Sequence, residues 1–135
     1  MTLKITLNLI DHSHFALTPA RKLDELNPKE MLLYASADCL GRTIVGLLKE
    51  HITSVKQMEL SIEGTLSTPT LVAESRYSHF HVVYRAECPR QKDQLIISRA
   101  VNLANDKYCG MLQMLRRIAP LTHETSIVAT EETNS

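Results

Sequence analysis

The stretch "NPKEMLLYASADCLGRTIVGLLKE", Asn27 to Glu50, decides the fold. Asn27 before Pro28 reads as an N-cap followed by proline at the first helical position, and Glu30 falls in the first turn, where the helix dipole favours an acid. The first half, "MLLYASADCL", is apolar or small on nearly every side, while the later "LLKEH" is more amphipathic. A helix that is apolar all round is a buried one, so this helix is expected at the centre of the core. Cys39 sits in its middle. A buried thiol is by default a small hydrophobe, so chemistry at Cys39 needs a second observation.

Working outward, "TLKITLNLI" places Leu3, Ile5, Leu7 and Leu9 on one face and Thr2, Lys4, Thr6 and Asn8 on the other, the period of a half-buried strand. In the polar connection that follows, only "HFAL" has the makings of another short strand. Beyond the helix, "VKQMELSIEGTLS" alternates with Met58, Leu60, Ile62 and Leu66 inward and Gln57, Glu59, Ser61, Glu63 and Thr65 outward. After the turn "STP", the segment "TLVAESRYSHFHVVYRAE" supplies a second long strand with Phe80, Val82 and Tyr84 on one face, so an antiparallel hairpin is expected. Leu95, Ile96, Ala100, Leu103 and Ala104 then recur at helical spacing. "MLQMLRRIAP" reads as a short helical extension stopped by Pro120, and "LTHETSIVA" as a last strand. The polar end from residue 130 is expected to fray.

The 135 residues suit one domain spanning the whole chain, and no repeat or linker divides them. Fifteen basic residues balance fifteen acidic ones, so the electrostatic footprint of a nucleic-acid or anionic-membrane binder is missing. Charge interrupts the apolar runs before they reach bilayer length and the amino terminus alternates, so no membrane span or signal peptide is expected; a cytoplasmic location follows. Three cysteines, Cys39, Cys88 and Cys109, are too few and too scattered for a secreted disulfide framework, and no CxxC pair suggests zinc. The expected architecture is α+β, an antiparallel sheet wrapped around two central helices. One sheet cannot hide a helix apolar on all sides, so a two-fold homodimer is expected to cover it.

Two segments carry a family resemblance. "NPKEMLLYASADC" resembles the "(N/S)PxELxxAAxxxC" entry to the central helix of the osmotically induced protein C and organic hydroperoxide resistance family (OsmC/Ohr). "NDKYCGMLQMLRRIAPLTHETSI" is similar to that family's second cysteine segment, and the likeness runs over roughly residues 26 to 129 in the same element order. It implies an intertwined homodimer and a metal-free, cofactor-free cysteine peroxidase of the stress response, acting on organic hydroperoxides or hydrogen peroxide. Cys39 matches the peroxidatic cysteine and Cys109 the resolving one. A peroxide would oxidise Cys39 to a sulfenic acid, Cys109 would condense with it to a disulfide, and a dithiol reductant, lipoyl in the hydroperoxide-resistance branch, would reset the pair.

A thiol needs a lowered pKa to attack at neutral pH, and apolar burial raises it. On a helix Arg42 and Thr43 lie at i+3 and i+4 from Cys39, and Ser36 at i−3, within reach of the sulfur; for Cys109 the start of the next helical turn offers its dipole. The family also pairs an arginine from the segment before the helix with a glutamate near its start. Arg21 and Glu30 are the candidates, although Lys29 occupies the family's glutamate position and Glu30 the next, as in the "PKEL" branch. Cys88, before Pro89, has no counterpart and reads as structural. The pairs His12/His14 and His79/His81 each share a strand face, but no carboxylate or cysteine completes a metal set by sequence. The competing reading is a non-catalytic dimer of the same fold that binds a hydrophobic ligand or partner around Cys39.

Overall fold

The computed structural model describes residues 1–131. β1 (Thr2–Leu9), β2 (Phe15–Leu17), α1 (Pro28–Leu48), β3 (Gln57–Leu66), β4 (Tyr77–Cys88), α2 (Gln91–Leu103), α3 (Gly110–Ile118) and β5 (Leu121–Ala129) follow in that order. One open sheet runs β2-β1-β3-β4-β5, and the helices lie on one of its faces, α1 over β1 and β3 and α2 over β4 and β5. The α+β class holds. One expectation is corrected: the sheet is mixed, because β5 runs parallel to β4. The reversal follows from the connection: α2 and α3 carry the chain back across the sheet, the crossover that a parallel pair requires.

The alternation fixes which side of each strand faces the helices. Leu3, Ile5 and Leu7 of β1, Met58, Leu60, Ile62 and Leu66 of β3, and Phe80, Val82 and Tyr84 of β4 are all buried. Ser61, expected outward among solvated residues, is buried too, its hydroxyl sharing a hydrogen bond with Thr6 Oγ1 at 3.1 Å across the β1–β3 pairing. Gly64 occupies the one inner position of β3 without a side chain because the Tyr77 ring lies there: a Cβ would come within 2.2 Å of Tyr77 Cε1. Tyr77 in turn donates its hydroxyl proton to the Lys29 carbonyl, tying the sheet to the first turn of α1. On β5, His123 and Thr125, in register with the inner Val82 and Tyr84, stay exposed at the edge of the sheet.

α1 begins as its sequence dictates. Asn27 Oδ1 accepts the Glu30 N–H at 2.8 Å and Glu30 Oε1 accepts the Asn27 N–H at 3.1 Å, a full capping box with Pro28 at the first position. Leu33, Ser36, Ala37, Leu40, Gly41, Ile44 and Leu48 face the sheet. Gly41 lets α1 approach β2: a Cβ there would meet the Phe15 ring at 2.6 Å. The opposite stripe, with Met31, Ala35, Arg42 and Gly46, is exposed in the single chain. Contrary to the expectation, charge does not cut this segment short of bilayer length: Pro28–Ser54 is long and apolar enough to cross a membrane by length and composition, and here it is the core helix against the sheet.

α2 presents a different face than its spacing suggests. Ile97, Ala100 and Val101 are buried, whereas Leu95 is 72% exposed and Leu103 is open as well. The first residues of the expected tail are anchored, Thr130 N–H to the Cys88 carbonyl and Glu131 N–H to that of Pro89; the rest of the tail, 132–135, lies outside the described residues.

Candidate functional site

Cys39 lies halfway along α1, partly exposed. The polar neighbours expected at its sulfur turn elsewhere. Thr43 Oγ1 donates to the Cys39 carbonyl and Ser36 Oγ to that of Leu32, both at 2.8 Å, because a helical hydroxyl finds the carbonyl four residues back within easy reach. Arg42 Nε donates to Asp38 Oδ2 at 2.8 Å, a surface i,i+4 pair with the arginine 72% exposed. Arg42 is therefore committed to Asp38 and not to the thiol.

Arg21 and Glu30 do meet. The guanidinium forks onto the carboxylate, Nη1 to Oε2 at 3.2 Å and Nη2 to Oε1 at 3.3 Å, and also reaches the Glu25 carbonyl at 3.4 Å. Arg21, helped by the Asn27 N–H, holds the Glu30 carboxyl below its ordinary range against the opposing effect of burial. Nine residues separate Glu30 from Cys39 on α1, about 14 Å along the axis and about half a turn around it. Within one chain the Arg21–Glu30 pair and the Cys39 sulfur are on opposite faces of the helix.

Cys109 reaches Cys39 from the other side. After α2 the chain makes one wide π-helical turn, Ala104–Tyr108, and Cys109 stands in extended conformation as the N-cap of α3. Its thiol points at Cys39, with Sγ to Sγ at 3.7 Å. Residues seventy positions apart thus bring two sulfurs into van der Waals contact, somewhat farther than the roughly 2 Å of a disulfide bond. Cys109 is fully buried. Burial pushes its thiol up to about 11; the neighbouring Cys39 adds to the rise, and the backbone N–H groups of Leu112 and Met111 at the start of α3 oppose it without overcoming it. At neutral pH Cys109 is a protonated thiol, and it donates to the Cys39 sulfur.

The third cysteine is set apart. Cys88 is fully buried at the end of β4, its thiol making long contacts to the Arg90 and Val128 carbonyls and its pKa raised first by burial and then by Asp93. On the outer sheet face His79 and His81 share the Thr122 hydroxyl, and β5 brings Glu124 to 3.4 Å from His81, a carboxylate the sequence did not reveal. His14 folds onto Asp11. No group of three His, Cys, Asp or Glu side chains among the described residues is arranged to hold a metal.

Sequence reasoning passed over the polar cluster behind Cys109. Asn105, 1% exposed, takes the Tyr84 hydroxyl proton on Oδ1 at 2.6 Å, and its carbonyl accepts from Arg116 Nη1 at 2.7 Å. No motif marks these residues, since they come together from β4, the π turn and α3.

The comparisons with known proteins agree with this architecture. Protein YhfA of Escherichia coli K12 is 28% identical over 105 residues, 76% of this chain and 74% of its own length. Among solved structures, an OsmC-like protein from Mycoplasma pneumoniae superposes with a TM-score of 0.60 at 11% identity, covering 95% of this chain and 96% of that one. The organic hydroperoxide resistance protein OhrB of Bacillus subtilis gives 0.53 at 13% identity, over 92% and 98%. At such identities these structures speak for the fold alone. The sequence model described as OsmC-like protein matches residues 21–124, the segment that holds the Arg21–Glu30 pair and both facing sulfurs, and the chain belongs to that family.

Proposed function

We propose that the chain is a thiol-dependent peroxidase with Cys39 as the nucleophile and Cys109 as the resolving thiol. The observation that carries this reading is the 3.7 Å contact between their sulfurs. The division of labour follows from burial: Cys109 is enclosed and keeps its proton, whereas Cys39 is open to an incoming molecule. The Cys109 S–H donates to the Cys39 sulfur. The thiolate attacks the terminal oxygen of a hydroperoxide, the O–O bond breaks, and the alcohol or water leaves with a proton. Cys39 becomes a sulfenic acid. The Cys109 sulfur gives up its proton and displaces that oxygen as water, forming the disulfide. A dithiol reductant of the lipoyl or thioredoxin class then takes the oxidising equivalents, a requirement that a reducing compartment such as the cytoplasm would meet.

The functional unit in this reading is a homodimer. The exposed stripe of α1 and the exposed Met31, Leu95, Leu103, Tyr108, Met114 and Ile118 on the helix side supply the apolar surface that a second copy would cover. Mass spectrometry after one equivalent of cumene hydroperoxide tests the proposal. Loss of two hydrogens and a linked Cys39–Cys109 peptide are expected. Thiols left unchanged would remove the peroxidase reading and favour a dimer that merely binds a hydrophobic ligand beside Cys39.

A further inference from the structure

The turn that delivers Cys109 is held by groups the thiol chemistry does not use. In an unbroken α-helix the Cys109 N–H would bond to the carbonyl of Asn105, four residues back. Here it goes one residue further, to Ala104 at 3.0 Å. The widened turn strips the Asn105 carbonyl of its helical donor in a buried place, where an unsatisfied carbonyl is costly. α3 supplies replacements: Arg116 Nη1 donates to that oxygen at 2.7 Å and Gln113 Nε2 at 3.3 Å, and Arg116 Nη1 also donates to Gln113 Oε1 at 2.9 Å. The Asn105 side chain is fixed from the sheet, by the Tyr84 hydroxyl on Oδ1, while Nδ2 donates to Asp106 Oδ1 and faces His123 Nδ1. Single π turns are uncommon and recur at functional sites.

We propose that Arg116 is a positioning residue for the thiol pair: by donating to the Asn105 carbonyl it selects the π turn over the α register and so keeps the Cys109 thiol against Cys39. The inference rests on the reading of the two cysteines as a redox couple. Without the donor, the orphaned carbonyl recovers a partner only if the Cys109 N–H returns to it. That return changes the register by one residue, swinging Cys109 by about 100° around the helix axis and about 1.5 Å along it. Cys39 cannot follow, being in the middle of a continuous helix packed on the sheet.

The test is equilibration of the full chain with mixtures of reduced and oxidised glutathione, followed by acid quench and peptide mapping. Cys39 displaces one glutathione from the disulfide, Cys109 loses its proton and displaces the second, and two electrons pass from the protein sulfurs to glutathione. For Arg116→Met the equilibrium constant for the Cys39–Cys109 disulfide should fall about tenfold, the size expected for one lost charge-assisted hydrogen bond. Arg116→Lys, which still offers donors, should stay within about twofold of the parent, and a merely structural arginine would not give this split. A fall under about threefold in Arg116→Met, or an equal fall in Arg116→Lys, overturns the proposal. If Arg116→Met does not fold, Gln113→Met decides, with a fall of about threefold or more in its favour and a smaller one against. A parent protein that forms no Cys39–Cys109 disulfide at any ratio instead overturns the redox reading itself, and this proposal with it.

Discussion

The two sulfurs of the pair reach each other from segments of opposite character. Cys39 rides on α1, the longest and most regular element, capped at its start and packed along its length on the sheet. Cys109 follows a π turn and stands in extended backbone, its turn held by a buried polar cluster and its side chain packed in the core. A bond between the sulfurs needs about 1.6 Å less separation than the contact shows, given the length of a disulfide. The irregular segment is the one able to supply the movement. In this arrangement the helix fixes the nucleophile and the turn brings the resolver to it.

The largest expected effects come from removing one sulfur at a time. Cys39→Ser should abolish peroxide turnover while the fold is kept, because serine fits the half-exposed helical position; full activity in that variant would sink the mechanism. Cys109→Ser should leave Cys39 able to react once, and the product should be a sulfenic acid trappable by dimedone instead of a disulfide. Cys88→Ser should change neither result, since that thiol faces carbonyls at the far end of β4 and no second sulfur.

The next contrast is one of protonation. Iodoacetamide reacts with thiolate, so at pH 8 it should label Cys39 and spare Cys109, with Cys109 labelling rising only as the pH approaches about 11. The same raised value has a sign in stability. An unfolded cysteine ionises near pH 8.5, so between that pH and about 11 the folded chain holds a proton that the unfolded chain has lost. The stability from a neutral buried Cys109 is in place below the unfolded value and drains away as pH rises through the folded one. Thermal melts from pH 8 to 11 should show the decline, and Cys109→Ala should lessen it, the buried Cys88 supplying part of the rest.

How far each side was legible in the sequence follows from the kind of interaction that makes it. Asn27, Pro28 and Glu30 announce the start of α1 within four residues, and alternation in β1 and β3 names the inner face of the sheet, because caps and strand periods are local. The parallel direction of β5 was hidden, since "LTHETSIVA" reads the same whichever way its neighbour runs. So were the roles of Arg42 and Arg116. Helical spacing allowed Arg42 to reach the thiol, but the carboxylate of Asp38, four residues back, takes its Nε–H at 2.8 Å. Nothing in "MLQMLRRIAP" singles out Arg116; its target is a carbonyl freed by a backbone irregularity that no residue pattern encodes. The approach of Cys109 to Cys39 was visible only through family resemblance, because a contact across seventy residues leaves no periodic trace.

Packing around the helix side gives a moderate effect. Gly41 lies two residues past Cys39, where an added methyl would press on the Phe15 ring at 2.6 Å. Alanine gains helix propensity of up to about 1 kcal/mol there, while overpacking costs about 1–3 kcal/mol, so Gly41→Ala should be net destabilising by about 1 kcal/mol. Gly46, on the same helix with open space at its Cβ position, should instead gain about 0.5–1 kcal/mol on replacement by alanine. Chemical denaturation of the two variants separates clash from propensity on one helix.

The smallest effect on the thiol pair is expected at the start of α1. Asn27→Ala deletes the side-chain acceptor for the Glu30 N–H and should cost about 1 kcal/mol, the usual value of such a cap. Glu30 keeps its other partners, the Asn27 backbone N–H and the Arg21 fork, so the first turn remains anchored. More than two helical turns separate that end from Cys39, and a helix packed along its length does not transmit a frayed cap that far. The melting temperature should therefore drop by a few degrees, while the glutathione equilibrium of the Cys39–Cys109 pair stays at the parent value. A shift in that equilibrium comparable to the one expected for Arg116→Met would mean that α1 is not the rigid side of the pair, and the contrast between helix and turn would no longer stand.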